Sequence, residues 1–323
     1  MKTILIIGAG QLGSRHLQGL AKFKGQLDIY VVDPALDSLK TAQVREEEII
    51  HEHRVIYTLT WDLLPSSFDV VIVATSANIR ERIIFELLRN YKVGFLILEK
   101  VLFQELASYR NVSDLFVEKN VRAYVNHPRR MFESYKNLGL LLDTNDKTVF
   151  SVVGGSWGLA CNALHFLDLF VYLSGKKLKD INTDSLDELI QESSRKGFVE
   201  FTGTLSGQLE DGSFFSITSL NGASTPISVS LFNNEQRFLI QEGGLSQIYM
   251  LLKKDNFVCK NESFKVQYQS ELTTNILIEI FENNHCSLPT YEEARHSHEI
   301  FLKAMLKKYN TITGFNCTIL PIT

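Results

Sequence analysis

Apolar residues in the first third of the chain come in short, β-branched, nearly unbroken runs: TILIIG, LDIYVVD, VIYTL, FDVVIVAT and FLILEK. Strands buried on both faces of a parallel sheet have this texture, because neither face meets water. Between the runs lie stretches with helical spacing: LGSRHLQGLAKF, LDSLKTAQV and IRERIIFELLRN. Strand alternating with helix predicts βαβ units and a doubly wound parallel sheet. After about residue 150 the period drops to two, and Asp211-Gly212, Asn221-Gly222 and Asn233-Asn234 break the runs as hairpin-turn signals. An open, mostly antiparallel sheet is expected there. The expected fold is therefore α/β followed by α+β, with domains over residues 1–125 and 126–323 meeting near Asn126 and no flexible linker between them.

One helical stretch, ALHFLDLFVYLS (163–174), is apolar almost all the way round yet carries His165 and Asp168. Positions three and four apart share a helix face, so Cys161, His165, Asp168 and Tyr172 form one polar stripe, with Asn162 beside it. Two readings are open. Either the stripe lines a site, or His165 and Asp168 satisfy one another inside a packed core. A poorly patterned stretch follows the predicted sheet, and a last helix is expected from about Tyr291 to Lys308.

Composition narrows the function classes. The 323 residues are 45% hydrophobic and 22% charged with a net charge of -4, and no basic run stands out, so the electrostatic footprint of a nucleic-acid binder is missing. No apolar stretch approaches the roughly 20 residues that cross a bilayer. The apolar start MKTILIIGAG gives way to glycines and reads as a buried first strand, not a signal peptide. Cys161, Cys259, Cys286 and Cys317 lie far apart without metal-ligand spacing, so no metal is expected and a reducing compartment, the cytoplasm, is the default.

The first strand runs into Gly8-Ala9-Gly10-Gln11-Leu12-Gly13, a GxGxxG turn that opens a helix. Such glycines allow a tight turn, close approach of backbone to a pyrophosphate and close helix packing, while the helix N-terminus attracts phosphate charge. Asp33 ends the second strand, about 20 residues after the last glycine, where a carboxylate reads the ribose. A carboxylate there accepts from a 2′-OH and repels a 2′-phosphate, so NAD is expected in preference to NADP.

These residues resemble the Gfo/Idh/MocA oxidoreductases, and the likeness runs along the chain. IIGAGQLGSRHLQGL looks like the family's opening, and VATSANIRERI resembles the segment lying along the cofactor, with Ser76 and Arg80 where proline and histidine are usual. LEKVL is similar to the Glu-Lys-Pro signature at Glu99 and Lys100, with Val101 replacing proline. VNHPRRM resembles the stretch ending in paired arginines, Arg129 and Arg130, and WGLACNALHFLDL the catalytic helix. SLPTYEEARHSHEIFLKAM resembles the C-terminal helix.

The resemblance implies a Rossmann domain that binds NAD(P) through Gly8, Gly10, Gln11, Leu12, Gly13, Asp33, Ala74, Thr75, Asn78, Glu99 and Lys100. It implies hydride transfer to or from a carbinol carbon of a sugar, polyol or nucleotide-sugar derivative. Lys100, His165 and Asp168 would be catalytic; Arg129, Arg130, Asn162 and His165 would hold substrate. Histidine suits the proton step because its unperturbed pKa lies near operating pH. The other reading of Lys100 is a solvated strand end. Cys161 stands where the family usually has aspartate, and a thiol with a pKa of about 8.5 is neutral at pH 7. A non-catalytic NAD-binding sensor on the same fold is therefore the alternative. An exposed apolar sheet face in the second domain predicts a homodimer or homotetramer.

Overall fold

The computed structural model describes residues 1–222 and 224–323. Its first ten elements are β1 (Lys2–Ile7), α1 (Gln11–Leu20), β2 (Leu27–Val32), α2 (Leu36–Glu47), β3 (Arg54–Thr58), β4 (Ser67–Val73), α3 (Ala77–Asn90), β5 (Lys92–Leu98), α4 (Leu106–Lys119) and β6 (Arg122–Val125). All six strands are parallel in the order β3-β2-β1-β4-β5-β6, the doubly wound arrangement that the alternating runs predict. The central strands are apolar on both faces because both are covered. Ile4, Leu5 and Ile6 of β1 and Val70 to Val73 of β4 are wholly buried.

The remaining elements are α5 (Glu133–Leu141), β7 (Val149–Gly155), α6 (Leu159–Ser174), β8 (Leu178–Asn182), β9 (Gln191–Glu192), β10 (Val199–Glu200), β11 (Gly203–Leu209), β12 (Phe214–Leu220), β13 (Ile227–Phe232), β14 (Gln236–Glu242), β15 (Gln247–Leu252), β16 (Cys259–Ser263), α7 (Gln269–Asn283) and α8 (Tyr291–Thr313). Eight of these strands form a mixed sheet ordered β16-β15-β14-β13-β7-β12-β11-β8, in which β7 and β12 are the parallel pair. Asp211-Gly212 and Asn233-Asn234 sit in hairpin turns, β11 to β12 and β13 to β14. Asn221-Gly222 corrects the expectation. It is a turn, with Gly222 at φ +68, but it leads past β7, which takes the place between β12 and β13. Turn residues fix only the local bend, and a strand from far upstream fills the gap.

The chain divides into two compact units. The first comprises Met1–Phe103, Ala107–Pro128 and Gln267–Ala294, and the second Gln104–Leu106, Arg129–Val266 and Arg295–Thr323. In the first, α7 packs along α1. A Cβ on Gly19 would lie 2.7 Å from Cβ of Thr273, so glycine is what lets the two helices close. In the second, α6 covers the inner face of the mixed sheet, where Phe170 stacks on Phe150 at 4.7 Å. The helix extends beyond the apolar stretch at its start, over Leu159–Ser174, and Gly175 in the left-handed region at φ +65 ends it. No described helix is long and apolar enough to cross a membrane.

Candidate cofactor cradle and active-site helix

The glycine turn in the first unit has the shape its sequence implies. Gly8 adopts φ +95, and a Cβ there would meet Ala74 and Thr75 backbone at 3.0–3.1 Å, so the end of β4 lies hard against the turn. A Cβ on Gly13 would fall 1.8 Å from the Gly8 carbonyl, which excludes any side chain where α1 rests on the turn. Gly10 differs. Nothing lies within 4 Å of its Cβ position, so its bare backbone faces open space. α1 begins there with no side-chain cap and no acidic residue in its first turn, leaving the N–H groups of that turn without a side-chain acceptor. A dinucleotide's pyrophosphate fits this cradle by both shape and charge.

Asp33 stands at the mouth of the turn. One of its oxygens accepts the Ala9 N–H at 2.7 Å and the other the Ala35 N–H at 2.8 Å. A carboxylate has about four acceptor sites, so the pair leaves capacity for ribose hydroxyls. Ala74 donates its N–H to Ile7 at 2.8 Å, and the Thr75 hydroxyl is buried without a hydrogen-bond partner. Asn78 is exposed, and its side-chain oxygen accepts from Ser76 at 2.7 Å.

Glu99 is buried at the end of β5, and its carboxylate faces protein partners. It meets His16 Nε2 at 2.9 Å and accepts from Asn126 Nδ2 at 2.6 Å. Burial pushes this carboxyl up, but the hydrogen bond and charge of His16, the Asn126 amide and the charge of Lys100 outweigh it, and the pKa lies below its ordinary value. The network continues from His16 Nδ1 to the Thr273 hydroxyl at 2.9 Å and from Asn126 to Gln269 at 2.8 Å, tying α1, β5, β6 and α7 together. Lys100 follows Glu99 and is half-buried. Arg80, wholly buried on α3, donates to the carbonyls of Thr75, Val101 and Leu102, and so pins the segment after β4 to the segment after Lys100.

The second unit holds the helix with the polar stripe. Cys161, Asn162 and His165 are half-buried and Tyr172 is exposed, while Asp168 is buried at 6% exposure. Both Asp168 oxygens accept from Arg130, Nε at 2.9 Å and Nη2 at 2.6 Å, a bidentate fork that also lies over the Tyr172 ring. Arg129 makes the same kind of fork on Glu242, with its Nη2 at 2.8 Å, and lies 4.1 Å from the Phe166 ring centroid. Tyr135 donates to the same glutamate at 2.6 Å. Each arginine of the pair is thus matched to a carboxylate of its own unit. Asn162 donates to the Trp157 carbonyl at 2.9 Å.

A carboxylate does stand at Cys161, brought by Glu200 from β10. It accepts the Ala160 N–H at 2.8 Å and the Cys161 N–H at 3.3 Å, capping α6 one turn before His165. Burial pushes the Glu200 carboxyl up, against the stabilising bonds of the Cys161 thiol and the helix N–H groups. Sequence reasoning missed Glu200, Glu242 and Arg80. The first two are brought in by tertiary pairing, whereas the available signal for Arg80 was its place where the resembled family usually has histidine. Among the described residues no group of three or more His, Cys, Asp or Glu could hold a metal ion.

Comparison with known proteins agrees with this architecture. No curated protein matches the chain by sequence. The UDP-N-acetylglucosamine 3-dehydrogenase of Acidithiobacillus ferrooxidans is 11% identical with a TM-score of 0.71, over 94% of this chain and 96% of that one. The scyllo-inositol dehydrogenase of Lactobacillus casei, solved with NAD(H) and scyllo-inositol, is 15% identical with a TM-score of 0.71, over 96% and 97%. The transcriptional regulator Gal80p of Kluyveromyces lactis is 13% identical with a TM-score of 0.72, over 96% and 92%. At such identities these structures speak to the fold. Residues 2–127 match the model of the Gfo/Idh/MocA family, described as an oxidoreductase family with an NAD-binding Rossmann fold.

Proposed function

We propose that the chain is an NAD-dependent dehydrogenase or reductase acting on a sugar, polyol or nucleotide-sugar derivative. The observation that carries this reading is the cradle: a bare Gly10, an uncapped α1 and Asp33 at its mouth. When bound, the nicotinamide takes or gives the hydride. Lys100, at the carboxyl end of the parallel sheet, positions the substrate hydroxyl, and His165 moves its proton. Arg130 and Asp168 hold the His165 helix, and Asn162 lies beside the histidine for substrate contact. We assign the cytoplasm, which four cysteines lying far apart in the sequence without metal-ligand spacing suit.

A second reading, a non-catalytic NAD-binding sensor, is favoured by Cys161 and by the carboxylate partners of Arg129 and Arg130, which leave less charge for an anionic substrate. One set of measurements separates the two. Fluorescence titration should give NADH an affinity at least about tenfold above that of NADPH, and Asp33→Ala should erase much of that gap. Equal affinities in the unaltered protein would sink the Asp33 assignment. Turnover on a panel of sugars and nucleotide sugars, lost in Lys100→Met, identifies an enzyme; tight NADH binding without turnover on any of them identifies the sensor.

A further inference from the structure

Arg45, near the end of α2, reaches across to the first turn of α1. Its Nη2 donates to Gln11 Oε1 at 2.8 Å, and its Nη1 to the Ser14 hydroxyl at 2.5 Å and the Gln11 carbonyl at 3.4 Å. The Ser14 hydroxyl in turn donates to the Gly10 carbonyl at 2.8 Å, so the guanidinium stands one hydroxyl away from the bare glycine of the cradle. All three acceptors of Arg45 are neutral oxygens. The nearby charges are otherwise engaged: Arg15 donates to Gln18 at 2.7 Å, Gln18 to Glu48 at 2.6 Å, and Asp33 holds two backbone N–H groups. A full cation therefore rests on neutral partners, beside a helix start that has neither cap nor acid.

We infer that Arg45 is a further cofactor-binding residue and grips the pyrophosphate of the dinucleotide, an inference that rests on the dinucleotide reading above. On binding, the fork exchanges the Gln11 side-chain oxygen for a phosphate oxygen. Guanidinium-to-phosphate bonds are charge-assisted and stronger than bonds to a neutral amide, so the exchange favours the bound state. Gln11 is the latch that keeps the cation in place when the turn is empty.

The test is fluorescence titration of NADH and NADPH against the full chain, Arg45→Gln and Arg45→Lys, at low and high salt, with melting curves for each. Arg45→Gln should weaken both dinucleotides by about tenfold and flatten the salt dependence of the dissociation constant, because one screened charge contact is gone. Arg45→Lys, keeping the charge without the fork, should fall between. Unchanged affinity and salt dependence with a lower melting point would overturn the proposal and make Arg45 a clasp between two helices. Loss confined to NADPH would overturn it in favour of the 2′-phosphate. If the unaltered protein binds neither dinucleotide, the cofactor reading itself fails. If it binds and Arg45→Gln binds equally, only the Arg45 assignment fails.

Discussion

At the scale of single residues, the same sequence signals differ in what they can carry. Asp33 and the three glycines are legible because their roles are local: a turn that must admit backbone and a carboxylate at the next strand end constrain residue type within one βαβ unit. Asp168 is legible as a buried titratable group but not in its partnership. Arg130 lies 38 positions away, and nothing in the spacing of either residue announces the other. Both partners are buried, with side-chain exposures of 10% and 7%, so removing one charge leaves the other uncompensated. Asp168→Asn is therefore expected to cost about 3 kcal/mol of stability, the low end for breaking a buried pair, since the amide still accepts one bond. Denaturant unfolding checks the cost, and Arg130→Met in the same background should recover part of it. Activity per folded molecule then answers what the stripe does. A loss of kcat beyond the loss of folded protein makes Asp168 a positioning residue for His165, while unchanged kcat makes the pair structural.

Among elements, what the period predicts and what packing decides come apart at α7. Leu272, Ile276, Leu277 and Ile280 face inward at helical spacing, but polar Thr273 and Gln269 interrupt the stripe because they serve the His16–Glu99–Asn126 network. A helix that buries polar groups beside apolar ones looks unpatterned until its partners are known. The same applies to β7, whose pairing with β12 and β13 brings together residues some 60 to 80 positions apart. The α1–α7 contact turns this into a measurable effect. Alanine is favoured over glycine inside a helix by up to about 1 kcal/mol, so Gly19→Ala would stabilise an isolated α1. Here the new methyl would lie 2.7 Å from the branch carbon of Thr273, and overpacking of this kind costs about 1–3 kcal/mol. The clash should win. Urea unfolding should show a net loss of stability for Gly19→Ala, and a gain would mean that α7 yields more readily than its buried network implies.

For the whole molecule, the open face of the eight-stranded sheet is the feature that asks for a partner. The strand registers place Phe214, Val149 and Phe232 in one row across β12, β7 and β13, and Ser216, Ser151, Ser230, Leu239 and Tyr249 in the next. Phe214, Val149, Phe232, Leu239 and Tyr249 are 37–49% exposed, while the alternate residues Phe150, Val152 and Phe215 are wholly buried under α6. The sheet is thus apolar toward its own core and half-apolar away from it, with small hydroxyl side chains between the large ones. A second copy of the chain is the expected occupant of this face, since its serine row could pair with a symmetry mate while the aromatic ends bury one another. Light scattering at micromolar concentration should give a dimer or tetramer, and Leu239→Arg with Tyr249→Glu should yield a monomer that still binds NADH, since both residues lie in the unit without the glycine turn. A monomeric unaltered protein would overturn this assignment, and so would an oligomer that survives both charges.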